Sequence, residues 1–167
     1  LDYRGRAGIA TALGHAPQVG LANAAAGSVM SVAESLTNIV WAPIAVDNRN
    51  PSPVQNLNLS ANWMWPCRSQ KGEDARLYQA VQALSDFCCA LGINVPTGKD
   101  SLSLSQQYPG GEKIISPGTV IVSAGGEVDN IRATVQPVLR PCDKSRLYLI
   151  DFSSDELRLG GSAFAQS

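Results

Sequence analysis

Two long stretches of the sequence place apolar residues at three- and four-residue intervals, which predicts amphipathic helices. The first stretch begins near Asn23 and ends before Pro43, because proline cannot continue a helix. The second begins at Gly72, has acidic residues in its first turn and ends at Gly92. The sequence therefore predicts two helices, the second of which carries signals at both ends.

Shorter stretches either alternate apolar and polar residues or are compactly apolar, and both patterns predict strands. A hairpin connection is predicted at residues 108–111, where Tyr, Pro and two glycines follow one another. The predicted strands are residues 54–64, 93–95, 101–107, 119–128 and 147–152.

The order of these elements predicts an α/β fold in which helices cover one face of a mixed sheet, because a strand–helix–strand passage and a hairpin are both present. Residues 1–19 are rich in glycine and alanine and are predicted to be mostly irregular. Asp129 can cap a short helix that reaches about residue 135, and the prolines that follow mark a linker. We expect a first domain at residues 1–144 and the beginning of a second at 145–167.

The composition shows unusually few charges. Charged residues make up 16% of the chain, against about 25% in an ordinary soluble domain. A domain of this kind usually has part of its surface covered by another subunit or by the rest of a longer polypeptide. We expect the longer polypeptide, because the chain starts at Leu1 without an initiator Met.

Charge and hydropathy argue against two classes of partner. The net charge of -1 and the pI near 5.8 provide no field that would attract nucleic acid. The longest apolar run, residues 39–46, is interrupted by Pro43 and falls short of the roughly 20 residues that span a membrane. Four cysteines without metal-binding spacing and a single histidine predict free thiols in a reducing cytoplasm.

Candidate chemistry first appears on the predicted helix that follows Asn23. Glu34 and Asn38 are four residues apart and form, with Ser31, a polar stripe opposite the apolar one. A carboxylate and an amide oxygen are hard donors of the kind that Mg²⁺ accepts. From spacing alone, however, a solvated polar helix face is the more common interpretation.

A second candidate is the segment Thr97-Gly98-Lys99-Asp100-Ser101, predicted to be a loop between two strands. A glycine for close approach, a lysine for phosphate charge and an acid or hydroxyl for metal contact suit a nucleotide or phosphate. The spacing is not that of a P-loop, and as a bare pattern a polar turn is the more common interpretation. Residues 160–162, Gly-Gly-Ser, are similarly either an anion nest or a tight connection.

Nucleophilic catalysis has little support in the sequence. His15 is the only histidine, and with no obvious orienting acid nearby in sequence it is interpreted as a surface residue. Trp41, Trp63 and Trp65 lie beside apolar runs, where tryptophan is usually part of a core or an interface.

Five short strings, taken in order, carry more information than any one alone. They are residues 31–39 (SVAESLTNI), 59–64 (LSANWM), 72–78 (GEDARLY), 97–101 (TGKDS) and 159–162 (LGGS). Together they resemble phosphoribosylformylglycinamidine synthase in its large, single-chain form. The resemblance covers nearly the whole chain and places it in the second of that family's two tandem halves, each similar to aminoimidazole ribonucleotide (AIR) synthase.

The resemblance implies an AIR-synthase-like N-terminal-type subdomain whose sheet completes a barrel-like pseudo-dimer with the first half. It also implies that the subdomain after residue 144 is the C-terminal type. The family converts formylglycinamide ribonucleotide (FGAR), glutamine and ATP to the amidine, glutamate, ADP and phosphate in purine biosynthesis. The expected partners are the first half and the glutaminase domain, and the chain alone is expected to be inactive and to self-associate through its barrel edge.

The resemblance also changes the assessment of the candidate residues. It implies that Glu34 and Asn38 bind Mg²⁺ at an ATP or ADP site, together with an aspartate expected upstream of Leu1. It implies nucleotide or substrate contacts for Lys99, Asp100 and Ser101, and less firmly for Asn62. No catalytic residue is expected in this chain, and none of its cysteines inherits the glutaminase nucleophile.

Two alternatives stay open beside a role in the turnover site. The chain can instead be a structural pseudo-subunit whose nucleotide site is auxiliary and serves stability. A selenophosphate- or thiamine-phosphate-kinase-type enzyme of the same fold is disfavoured by the strings around Asn62 and Lys99.

Overall fold

The computed structural model describes residues 4–139, 141 and 145–151, and it divides the chain into two compact units, Leu1–Val135 and Gln136–Ser167. The division falls at the proline-containing stretch predicted to be a linker. The first unit contains six strands, three α-helices and two short 3₁₀ turns. In chain order they are β1 (Gly8–His15), α1 (Pro17–Ala22), α2 (Ala24–Ile39), a 3₁₀ turn (Pro53–Asn56), β2 (Asn58–Met64), α3 (Glu73–Leu91), β3 (Asn94–Ser101), β4 (Ser105–Gln107), β5 (Lys113–Ile115), β6 (Thr119–Val128) and a second 3₁₀ turn (Ile131–Ala133).

The main sheet has four strands in the order β1-β6-β2-β3. Strand β6 is antiparallel to both β1 and β2, whereas β2 and β3 are parallel and are connected through α3. Helices α2 and α3 pack against each other and cover one face of the sheet. The α/β class and the mixed sheet with helices on one face are therefore confirmed.

The core lies between the sheet and the two long helices. Alternate residues of the central strands point into it, including Leu59, Ala61 and Trp63 from β2 and Val120 and Val122 from β6. Because successive side chains of a strand point to opposite faces, the residues between them lie on the side that no helix covers. This side, which carries Leu13, His15, Ser123, Asn62 and Lys99, is the open face.

Both long helices begin and end where the sequence predicts. The side chain of Asn23 accepts a hydrogen bond of 2.9 Å from the Ala26 N–H and so caps α2. Helix α3 ends at Gly92, whose φ of +69° is the left-handed conformation that favours glycine. Local signals in the sequence therefore fix the helix ends.

The prediction that residues 1–19 are mostly irregular is wrong, because they contain β1 and α1. Glycine and alanine have low strand propensity, but here small size is what the packing requires. At Gly14 a methyl group would overlap the Ser31 carbonyl oxygen and lie 2.5 Å from the Ser35 nitrogen. Strand β1 thus forms because it pairs with β6 and packs closely on α2.

Strand β3 also departs from prediction. The predicted strands at 93–95 and 101–107 with a loop between them are wrong, since β3 continues from Asn94 to Ser101. It passes through Pro96, which is tolerated because β3 is an edge strand and its outer N–H groups need no partner in the sheet. The Thr97–Ser101 segment is therefore part of a strand and not a loop.

Three smaller predictions need correction. Residues 54–57 belong mainly to a 3₁₀ turn, whereas the hairpin predicted at 108–111 is confirmed and joins the short strands β4 and β5. The 3₁₀ turn after β6 is capped by the side chain of Asn130, not by Asp129. The strand predicted at 147–152 is absent from residues 147–151, and Phe152 and residues 160–162 lie outside the described residues.

Candidate functional site

One edge of α2 is bound to the end of β1 by three polar side chains. The Ser31 hydroxyl accepts from the Ala16 N–H at 3.1 Å, and the Glu34 Oε2 accepts from the His15 N–H at 2.7 Å. Asn38 Nδ2 donates to the Leu13 carbonyl oxygen at 2.9 Å. The predicted solvated stripe is therefore wrong for Ser31, which is buried, and the stripe instead faces the backbone of β1.

The donor set of this edge fits magnesium. Glu34 and Asn38 are both exposed, and Asn38 commits its amide nitrogen to Leu13, so its amide oxygen is uncommitted. Glu34 commits only Oε2 to His15. One carboxylate oxygen and one amide oxygen on the same helix edge match the one or two protein ligands that Mg²⁺ usually takes beside water and phosphate.

Other metal chemistry finds no comparable site. Within the described part of the chain, no three His, Cys, Asp or Glu side chains are grouped so as to hold a metal ion. Zinc sites need three or four such ligands. The residues present therefore fit a hydrated hard cation.

The only histidine of the sequence lies beside this pair. His15 is the last residue of β1, and its side chain is on the open face, where Nε2 lies 2.9 Å from the Thr119 Oγ1. The sequence predicts a surface position for His15 because no orienting acid lies near it in sequence, and the residue is indeed exposed, but its place in a strand is not predicted. The alternation of Ile9, Leu13 and His15 on one face would have been the only available signal.

Lys99, Ser101 and Asn62 come together at the opposite edge of the sheet. Asn62 pairs with Lys99 in the β2–β3 register, so the two side chains share the open face. Lys99 Nζ donates to the Ser101 hydroxyl at 2.6 Å. Asp100 does not join them, because it alternates to the other face and pairs in register with Trp63.

Asn62 carries an unsatisfied acceptor. Its Oδ1 is buried and has no hydrogen-bond partner in the structure. A buried acceptor without a partner costs free energy of about 1–3 kcal/mol. This atom is therefore a specific point at which a bound N–H or O–H donor would stabilise the fold.

The two candidate groups lie at opposite edges of the sheet. Glu34 and Asn38 contact β1, and Lys99 belongs to β3, three strand spacings away in the order β1-β6-β2-β3. At about 4.8 Å per spacing, strands β1 and β3 are about 14 Å apart. The structure thus brings Glu34 to Asn38 and Asn62 to Lys99, but it does not bring the two pairs together.

A groove of about 780 Å³ crosses the open face between these edges. Its lining is largely apolar with several small polar side chains, and two large apolar residues of β1, Ile9 and Leu13, are 63% and 61% exposed on this face. The groove is lined by Thr11, Leu13, Asn38, Ser60, Thr97 and Ser123, among others.

The cysteines that the structure describes are free thiols. Burial, followed by a hydrogen bond to Asp74, raises the pKa of the Cys67 thiol to about 11, and burial also raises the pKa of Cys88. Thiols with raised pKa values are poor nucleophiles near neutral pH. Cys142 lies outside the described residues.

Among the described residues, no helix combines the length and the apolar character needed to cross a bilayer.

Comparison with known proteins gives one family and one fold. Residues 1–127 match the family model described as FGAR-AT PurM_N-like domain. A Thermotoga maritima structure, phosphoribosylformylglycinamidine synthase II, is 20% identical over 83% of this chain and 20% of its own, with a TM-score of 0.55.

Two ligand-bound structures of Thermotoga maritima PurL are similar to the same extent. The complex with ATP is 20% identical over 83% of this chain and 21% of its own, with a TM-score of 0.55. The complex with FGAR is 19% identical over 82% of this chain and 20% of its own, with a TM-score of 0.53. These likenesses support the fold, and the chain spans about a fifth of the length of those proteins.

Proposed function

Because the chain belongs to the FGAR-AT PurM_N-like domain family, we propose that it is part of a phosphoribosylformylglycinamidine synthase. In this proposal residues 1–144 are the N-terminal-type subdomain of the second AIR-synthase-like half, and residues 145–167 begin the C-terminal-type subdomain. The match of residues 1–127 to the family is the observation that carries it.

The proposed reaction is the ATP-dependent conversion of FGAR and glutamine to formylglycinamidine ribonucleotide and glutamate, with release of ADP and phosphate, in cytoplasmic purine biosynthesis. The similar structures include complexes with ATP, ADP and FGAR, which supports these ligands. The first half and the glutaminase domain supply the remaining chemistry. The chain itself supplies a nucleotide site and an interface.

Glu34 and Asn38 are the proposed magnesium ligands of the nucleotide site. Magnesium bound there supplies positive charge that offsets the charge of the phosphates. The residues of this chain hold the site in place, because the N–H of His15 orients Glu34 and the carbonyl of Leu13 orients Asn38.

Asn62, Lys99 and Ser101 are proposed to contact the nucleotide or the substrate. The ammonium group of Lys99 attracts anionic groups, and the unsatisfied Oδ1 of Asn62 accepts from a hydroxyl or amide donor. Asp100 was expected to make the same contact. Its place on the other face of β3 does not support that role.

The open face is the proposed interface with the first half. It exposes Ile9 and Leu13, and the edge strands β1 and β3 each pair with only one strand of the described sheet. Exposed apolar residues and open edges both favour association. An isolated chain is therefore expected to self-associate through these edges.

The nucleotide site is tested by Glu34→Gln in the complete synthase. The amide oxygen still accepts from the His15 N–H, but the negative charge is lost, so Mg·ATP affinity measured by calorimetry should fall about tenfold. Asp86→Asn, the same charge change on α3, is the matched control and should not alter affinity. Unchanged affinity in Glu34→Gln contradicts the ligand assignment.

The activity is tested by assaying amidine formation with ATP and either glutamine or ammonia. The complete synthase should turn over, and the purified 167-residue chain should not. Turnover by the chain alone would refute the division of labour proposed here.

A second candidate function is a structural pseudo-subunit whose nucleotide site is not catalytic. The three hydrogen bonds from Ser31, Glu34 and Asn38 to β1 favour it, because they show that this edge also stabilises the fold. Glu34→Gln that lowers thermal stability but keeps turnover supports this candidate. Loss of turnover at unchanged stability supports a catalytic site.

A further inference from the structure

His15 lies where the proposed nucleotide site meets the open face. Its backbone N–H donates to Glu34 Oε2 at 2.7 Å, so its side chain starts from a residue in direct contact with the proposed magnesium ligand. The side chain is exposed, and in register it lies beside Ile121 of β6. No other histidine is present in the sequence.

The imidazole is held in one orientation by a single hydrogen bond. Nε2 lies 2.9 Å from the hydroxyl of Thr119, and Nδ1 has no hydrogen-bond partner among the described residues. When the Thr119 hydroxyl donates to Nε2, the proton of the neutral ring is on Nδ1, which is then a free donor. The ring is thus oriented, and one of its nitrogens is available for a ligand.

The chemistry of the neighbourhood limits what this ligand can be. The Glu34 carboxylate, which accepts from the His15 N–H, disfavours a bare anion at this edge, and a cation bound to Glu34 offsets that repulsion. The imidazole itself is a poor ligand for magnesium, which prefers oxygen. A phosphate oxygen of a magnesium complex satisfies both conditions.

We propose that His15, oriented by Thr119, binds a phosphate oxygen of the magnesium nucleotide held at Glu34 and Asn38. This inference rests on the proposed function. It adds a phosphate-binding residue on β1 to a magnesium pair on α2, and it places the phosphates at the β1 edge of the sheet. The ribose and base then lie along the groove of the open face, toward Ser60 and Thr97, which line it.

The experiment compares Mg·ADP and magnesium-free ADP binding to the complete synthase by calorimetry. His15→Ala should weaken Mg·ADP binding about tenfold, because it removes one hydrogen bond to a charged group. His15→Gln keeps an N–H donor and should recover most of the affinity. Thr119→Val leaves the ring unoriented and should lose a smaller part.

Two controls separate binding from folding. Gln82→Ala, which removes an exposed side chain of α3 outside the groove, should leave Mg·ADP affinity unchanged. Thermal unfolding of each variant without nucleotide should match the parent protein, since His15 is exposed. Affinity for ADP without magnesium should be equal in all variants, because the phosphate contact forms only with the cation present.

The possible outcomes distinguish this inference from the proposed function. If Glu34→Gln weakens Mg·ADP binding but His15→Ala does not, the His15 contact is refuted and the magnesium site stands. If His15→Ala weakens ADP binding equally with and without magnesium, the requirement for a bridging cation is refuted. If neither variant changes affinity, both the contact and the nucleotide site at this edge are refuted.

Discussion

The two faces of the main sheet are built by the same strands but have opposite roles. On the face covered by α2 and α3, Leu59 and Val122 are 1% and 0% exposed. On the open face, Leu13 is 61% exposed and lies among polar side chains such as Asn62 and Lys99. The covered face therefore holds the fold together, whereas the open face leaves both apolar and polar side chains accessible.

This difference follows from strand geometry and from the position of the two long helices, α2 and α3. Alternate residues point to opposite faces, and the two long helices are both on one side, so apolar residues on the other side have no cover within this unit. Exposed apolar residues beside a groove are typical of interfaces. Substitutions on the two faces should accordingly have different effects on stability.

The largest expected effect compares Leu59→Ala with Leu13→Ala. Removing the buried Leu59 side chain should lower the free energy of unfolding by about 3 kcal/mol, because a cavity remains. Removing the exposed Leu13 side chain should change it by less than about 0.5 kcal/mol. Urea denaturation of the chain, at concentrations where sedimentation shows a monomer, measures both.

A Leu13→Ala loss as large as that of Leu59→Ala would show that the open face is already covered in the isolated chain. The comparison of the two faces would then fail. In the complete synthase, by contrast, Leu13→Ala should become destabilising if the first half packs on this face.

The next largest expected effect on stability comes from removing a positively charged side chain. Glu73 is buried and pairs with Arg76 at 2.9 Å, and Arg76 also donates to the Gly20 carbonyl oxygen. Arg76→Met leaves the Glu73 carboxylate buried and without its ion-pair partner, which should lower the free energy of unfolding by about 2 kcal/mol. The expected loss is no larger because the Arg76 side chain is partly exposed. On the open face, Lys99→Met should change stability by less than about 0.5 kcal/mol.

A double substitution tests whether the buried charge of Glu73 causes the loss of stability. Adding Glu73→Gln to Arg76→Met removes the buried charge and should recover part of the lost stability in the same denaturation measurement. Failure to recover any would show that Arg76 stabilises the fold through its contact with Gly20 alone.

A smaller effect on stability is expected to distinguish substitutions at two glycines, Gly92 and Gly125. Gly92 ends α3 with φ of +69°, where a side chain is strained, so Gly92→Ala should cost about 1 kcal/mol. Gly125 on β6 has negative φ, and an added methyl group would meet only the Ala10 carbonyl oxygen at 4.0 Å. Gly125→Ala should be neutral or slightly stabilising, and equal costs would contradict the conformational argument.

The smallest expected effect concerns the alkylation rate of Cys67, whose thiol packs against the core. Burial and the neighbouring Asp74 raise the pKa of Cys67 to about 11, so alkylation by iodoacetamide should be slow at pH 8 and accelerate toward pH 11. The folded state then holds a proton that the unfolded chain loses near pH 8.5, so stability falls slightly between these values. Asp74→Asn should lower the pKa of Cys67 and speed alkylation, measured by mass spectrometry, whereas Asp86→Asn should not.

The helices could be predicted because their signals are local. Asn23 and Gly92 mark helix ends through contacts with residues a few positions away. Strand β6 also agrees with its predicted range, Thr119–Val128, because its alternation is regular. The sequence does not predict strand β1, because its glycines and alanines fit a close packing against α2. No local sequence pattern indicates that packing.

The candidate site was predicted only in part for the same reason. Glu34 and Asn38 are neighbours on a helix, so spacing alone places them together. The approach of His15 to Thr119 depends on β1 pairing with β6, and these residues are far apart in sequence. The position of Asp100 on the other face depends on β3 continuing through Pro96, which the sequence argued against.

The amino-acid sequence by itself determined the helix ends, the alternation that separates a covered face from an exposed one, and the family resemblance. Each of these depends on residue identity and short-range spacing. The tertiary structure alone decided that β1 exists, that its end is hydrogen-bonded to side chains of α2, and that β1 and β3 lie about 14 Å apart at opposite edges of the sheet. The physical reason is that strand pairing and helix packing join residues whose separation along the chain carries no local signal.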